Sequence, residues 1–136
     1  MARKVSKEKI IWNNAPDIKK RVLHLIKALE LEWIKPSKLF FLRSHNSSSR
    51  AYARIWGLSK VWQMTLKIDP SYVIEVLSEK FDKLPDMEKD KVLLHELAHI
   101  PKNFSGSLLP HIRRRGKRNF HDKVEKLFFY YKKIVN

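Results

Sequence analysis

Apolar residues recur along this chain in two rhythms, and the switches between them mark out the expected elements. Over residues 16–34, PDIKKRVLHLIKALELEWI, Val22, Leu25, Ile26 and Leu29 fall at i, i+3, i+4 and i+7. That spacing predicts a first helix, with Pro16 suited to its opening turn. His24 lies between these positions on the helical wheel and is expected to be a partly buried structural histidine. Pro36-Ser37 breaks the pattern. KLFFLRS (38–44) and RAYARIW (50–56), rich in aromatic and branched residues and separated by the polar turn HNSSS, then predict two strands joined as a hairpin.

GLSKVWQMTLKI (57–68) fits either period and leans towards a short helix. YVIEVLS (72–78) alternates and predicts a third strand, with Tyr72, Ile74, Val76 and Ser78 on one face. DMEKDKVLLHELAHI (86–100) predicts a helix. Asp86 is placed to cap it, acidic residues in its first turn suit the dipole, and Pro101 stands just beyond it. After the loop 102–119, FHDKVEKLFFYYKKIV (120–135) predicts a closing amphipathic helix. The expected fold class is α+β, with a small three-stranded sheet packed on the helix of 86–100 between N- and C-terminal helices. At 136 residues a single domain over 1–136 is expected.

Composition narrows the function classes. With no cysteine, disulfide scaffolds, thiol catalysis and cysteine-type zinc sites are excluded. No run of 18 apolar residues occurs, so no membrane-spanning helix is expected. The N-terminus MARKVSKEKIIW lacks the apolar stretch of a secretory signal, so a cytoplasmic location is the expectation. A formal charge of +15 attracts polyanions. Its densest cluster is IRRRGKR (112–118), where Arg113, Arg114, Arg115, Lys117 and Arg118 are candidates to contact nucleic acid or an acidic substrate. Arg50 and Arg54, read as i and i+4 on one strand, would extend such a surface. Trp56 and Trp62 are read as core residues rather than as platforms for stacked bases.

The candidate chemistry sits in VLLHELAHIPKNFSGSLLPH (92–111), which holds three of the six histidines. Helix residues four apart stand about 6 Å apart along one face, so His95 and His99 can point at one metal ion. Glu96, beside them on the wheel, would reach a water in the ion's open position. This H-E-x-x-H pattern, with a third protein ligand, is that of catalytic zinc. It predicts a zinc-dependent peptidase in which Glu96 takes the proton of a zinc-bound water and later passes it to the leaving amine. The metzincin pattern needs glycine and histidine where Lys102 and Ser105 stand, so that class is excluded. Three residues remain for the third ligand. His111 follows a Ser105-Gly106 turn that can fold back on the site, His121 starts the last helix, and Glu125 lies one turn further on. His111 is favoured narrowly over His121. Either Asp122 or Glu125 can orient the His121 ring.

Together RAYARIWGLSKVWQ, YVIEVLSEKFDKL and KVLLHELAHIPKNFSGSLLPH resemble the predicted metallopeptidases of archaea and phages, over roughly residues 36–135. More distantly the chain is similar to the SprT-like zincins. That resemblance implies a minimal zincin-like fold, a zinc ion, a protein or peptide substrate, and His95, Glu96 and His99 as site residues. It also implies a third histidine after a loop of comparable length, near a proline and opening a helix. His111 matches the spacing and the preceding Pro110, whereas His121 matches the helix start. The glycine usual after that third histidine is replaced by Ile112 or Asp122. The rival function class is a basic nucleic-acid-binding protein with a structural zinc site and no peptidase activity. Retention of Glu96 favours the enzyme, because a structural site has no use for that carboxylate.

Overall fold

The first helix, α1 (Pro16–Ala28), opens on Pro16 and buries Ile18, Val22, Leu25 and Ile26. It ends six residues before the periodicity suggested. Glu30 adopts φ 52 and its N–H donates to the Lys27 carbonyl, while the Leu31 N–H donates to that of Ile26. This is a Schellman closure, and the usual glycine signal is missing because a glutamate occupies the left-handed position. The computed structural model describes residues 8–111 and 120–135. The basic candidates Arg113, Arg114, Arg115, Lys117 and Arg118 lie outside those residues.

Among the described residues the fold is mixed α+β, with a sheet of four strands rather than the three expected. β1 (Ile11–Asn14) gave no signal, because all four side chains are exposed and no alternation marks it. β2 (Leu39–His45) follows a single 3-10 turn at Pro36–Lys38, and β3 (Ala53–Gly57) and β4 (Tyr72–Leu77) complete the sheet. The spatial order is β1-β2-β4-β3. The expected hairpin between the second and third strands therefore does not form. β4 lies between them, parallel to β2 and antiparallel to β3. Strand periodicity says which face a residue takes, not which strand it pairs with.

Register sorts the side chains by face. Leu39 pairs with Tyr72, Phe41 with Ile74 and Ala53 with Val76. These six residues form one core with the buried faces of α1, α4 (Asp86–Leu97) and α5 (Phe120–Val135). On the opposite face the row Phe40, Val73, Trp56 crosses three strands, and its two aromatic ends stand about half in solvent. Glu75 lies beside that row with no exposure, bonded by Ser44, Arg54 and Trp56.

Four expectations are corrected here. Trp56 and Trp62 are 50% and 56% exposed rather than core. For Trp62 the reason is that α2 (Lys60–Leu66) is inverted: its buried residue is Gln63, and Val61, Met64 and Leu66 face outwards. Arg50 lies before β3, and the Arg54 guanidinium is taken up by Glu75, so the two do not form a shared basic face. His24 is exposed, its ring edge-on to Tyr131. Asp86 does not cap α4, because Pro85 occupies the cap position.

Asp86 instead accepts from Arg21 of α1, which also bonds the buried Asp90, and Asp90 accepts from the Tyr131 hydroxyl of α5. One arginine, one aspartate and one tyrosine thus tie together the three helices that position the site. Arg43 makes a second tie, gripping Asp17 at the start of α1 and Asp82 just beyond α3 (Ser78–Phe81).

Candidate metal centre

His95 and Glu96 stand in the last turn of α4, and His99 two residues past its end. There the backbone tightens: the His99 N–H donates to the Glu96 carbonyl and the Ile100 N–H to that of Leu97, before Pro101 ends the run. Lys123 of α5 donates to the freed Ala98 carbonyl at 3.1 Å, so the helix end is closed by a cation. The chain then doubles back. The Leu109 N–H donates to the His99 carbonyl at 2.7 Å, and His99 Nδ1 bonds the Leu109 carbonyl. Since a carbonyl can only accept, Nδ1 carries the proton and Nε2 of His99 presents its lone pair.

That return brings His111 to the site. Its Nε2 lies 2.8 Å from Nε2 of His95 and 3.1 Å from Nε2 of His99. Nitrogens about 2.05 Å from a tetrahedral ion stand about 3.3 Å apart, so the three converge at close to the separation of ligands on one metal. The ligand atoms of His95, His99 and His111 all fall within 4.8 Å of one another. His99 presents its lone pair to the centre of the cluster, and neutral imidazoles suit a divalent transition metal. The donor set therefore fits such an ion. Phe120 forms an apolar wall against the cluster, stacked on His99 at 4.1 Å and edge-on to the other two rings at 4.9 Å.

Electrostatics agree with this fit. Burial, with the neighbouring His99 and His111, lowers the pKa of His95 to about 4, and burial lowers that of His99. Both are neutral at pH 7 and need lose no proton to ligate. Glu96 is 8% exposed, and burial raises its pKa to about 8. No hydrogen bond or ion pair forms on its carboxylate among the described residues. A nearby divalent cation would favour the ionised form.

His95, Glu96, His99 and His111 line a cavity of about 770 Å³, together with Ala53, Arg54 and Ile55 of the edge strand β3. His121 and Glu125 line the same cavity but stand outside the convergent cluster. His121 is exposed, and Glu125 forms an ion pair with Lys91 at 2.8 Å. Residues that sequence reasoning missed are those that hold the return loop, chiefly Gln63 and Tyr72, and the wall residue Phe120. Local sequence carries no signal for the first two, because each contacts a loop more than thirty positions away.

No helix among the described residues is long and apolar enough to cross a membrane. No curated protein and no solved structure matches the chain significantly. A family model does match, described as "Putative phage metallopeptidase", and it covers residues 10–132. With a three-histidine cluster able to hold a metal inside that span, the chain belongs to this phage metallopeptidase family.

Proposed function

We propose that the protein is a zinc-dependent peptidase of minimal zincin-like fold, distantly similar to SprT-like enzymes, with His95, His99 and His111 as ligands and Glu96 as general base. The observation that carries this reading is the convergence of three imidazole nitrogens beside a buried carboxylate that has no partner among the described residues. When bound, the ion supplies Lewis acidity, making water acidic near neutral pH and polarising a carbonyl.

The chain's own residues do the rest. Glu96 accepts a proton from the attacking water as the new C–O bond forms, and returns it to the nitrogen as the C–N bond breaks. Its buried place beside the three ring nitrogens suits both transfers. β3 is an edge strand along the cavity, so an extended peptide can add to it through backbone hydrogen bonds while its side chains enter the cleft. His111 is exposed and lines the same cavity as β3. Among the described residues three protein ligands converge, the number usual in catalytic sites, whereas structural zinc sites are closed by four. That comparison favours the enzyme over a nucleic-acid-binding protein with a structural ion. Contact of the 113–118 cluster with nucleic acid or an acidic substrate stays a separate proposal.

The test is cleavage of a denatured protein by the zinc-loaded chain and by Glu96→Gln. Wild type is expected to cleave, and the variant to keep its zinc while losing activity by about 100-fold or more. Equal cleavage by both would overturn the mechanism.

A further inference from the structure

His111 is exposed and carried on a loop, yet its ring nitrogen is placed within hydrogen-bond distance of two others. A loop ligand that must be ordered on binding weakens affinity, so something has to hold it beforehand. The return loop is fixed from α2, from the first residue of β4 and from the end of α4. On the α2 side, Gln63 Nε2 donates to the Ser105 carbonyl at 2.9 Å and to the Leu58 carbonyl at 2.7 Å. This explains why α2 is inverted, with its one polar buried side chain facing the loop and its apolar ones outwards.

On the sheet side, the Tyr72 hydroxyl accepts from the Gly106 N–H at 2.8 Å and donates to the Ser107 carbonyl at 2.8 Å. One hydroxyl thus holds both sides of the turn, and the Tyr72 ring packs edge-on to the buried Phe104 at 4.9 Å. The fit is tight enough to dictate residue type. Gly106 has φ 96, and a Cβ there would lie 2.3 Å from both Gln63 Nε2 and the Leu58 carbonyl oxygen. A Cβ on Gly57, at the end of β3, would lie 2.1 Å from the Gly106 carbonyl oxygen. At the third point, Leu109 is paired to His99 through both of its backbone groups, two residues before His111.

We infer that Tyr72 and Gln63 are positioning residues for the third metal ligand: by clamping the Ser105–Ser107 turn they hold His111 in register with His95 and His99. This rests on the three histidines being a metal site. Neither residue lines the cavity, so each acts on the ion only through His111.

The experiment is titration of the metal-free protein with cobalt(II), whose absorption reports coordination, in wild type, Tyr72→Phe, His111→Ala and the double variant. Tyr72→Phe keeps the ring on Phe104 and removes only the hydroxyl. Its cobalt affinity is expected to fall by about 10- to 100-fold, the usual cost of losing a group that orients a ligand. In the His111→Ala background the same change is expected to have no further effect, which marks the two residues as coupled. Gln63→Met, which loses the donor at similar volume, should repeat the pattern and serves if Tyr72→Phe folds poorly. An unchanged affinity in Tyr72→Phe, or an equal loss with and without His111, overturns the inference and leaves the metal site standing. A wild type that binds no cobalt removes the metal-site reading, and the inference with it.

Discussion

Two glutamates are buried among the described residues, Glu75 within the sheet and Glu96 beside the histidine cluster, and their surroundings treat them in opposite ways. Burial raises the pKa of Glu75, but hydrogen bonds from Arg54, Ser44 and Trp56 outweigh it and hold the carboxyl below its ordinary value. Among the described residues Glu96 has only the burial, and its pKa rises to about 8. Paired donors make a buried charge part of the structure, while their absence leaves a group that trades protons near neutral pH. The contrast separates a carboxylate that holds the sheet from one left to titrate beside the histidine cluster.

The largest effect that tests this contrast is on catalysis. Glu96→Gln is expected to lower cleavage by about 100- to 10,000-fold with metal content unchanged, whereas Glu75→Gln should leave the activity of the folded fraction close to wild type. Metal analysis and peptide cleavage on the same preparations check both. Comparable catalytic losses in the two variants would erase the distinction.

Stability should rank the other way. Glu75→Gln leaves the Arg54 guanidinium without its counter-charge and is expected to cost about 3 kcal/mol, the lower end for breaking a buried pair because Arg54 is partly exposed. Urea unfolding of the metal-free chains measures it. At pH 7, Glu96→Gln is expected to stabilise the metal-free fold by up to about 3 kcal/mol, since folding there obliges Glu96 to take up a proton.

The pH dependences should also be opposed. The folded pKa of Glu75 is below 4.5, so its contribution is present above about pH 4.5 and is lost as pH falls through that lower value. Glu96 binds its proton more tightly folded than unfolded, so stability declines as pH rises from about 4.5 to about 8. The wild-type decline between about pH 6.5 and 8 should therefore flatten in Glu96→Gln and persist in Glu75→Gln. His95, held neutral down to about 4, adds a loss of stability as pH falls from 6.5 that both variants share. The smallest effect is expected at the Lys91–Glu125 ion pair, where both side chains are more than a third exposed. Lys91→Met should change stability by less than about 1 kcal/mol.

How much of this was legible in the sequence differs by element. α4 and α5 were readable because acidic first-turn residues, Pro101 and a long apolar stripe all agree. The cores of β2, β3 and β4 were readable from branched and aromatic alternation, but their order was not, since pairing depends on non-local packing that a local period does not encode. The end of α1 was hidden by a glutamate in a position where glycine gives the usual signal. Trp56 and Trp62 misled because large aromatics are normally buried, while here Trp56 lies over the Glu75 network and α2 turns its polar residue inwards. At the site, the i, i+4 spacing already placed His95 and His99 together. The preference for His111 came from a glycine turn, whereas the partners that shape that turn, 34 and 42 positions away, left no trace in its own sequence.

The proposed metal chemistry depends most on where the third ligand comes from. The direct measurement is zinc content per chain in wild type, His111→Ala and His121→Ala, purified together without added metal. One ion per chain in wild type and His121→Ala, with loss in His111→Ala, is the expected result. Zinc retained in His111→Ala and lost in His121→Ala, or a wild type that carries none, would contradict it.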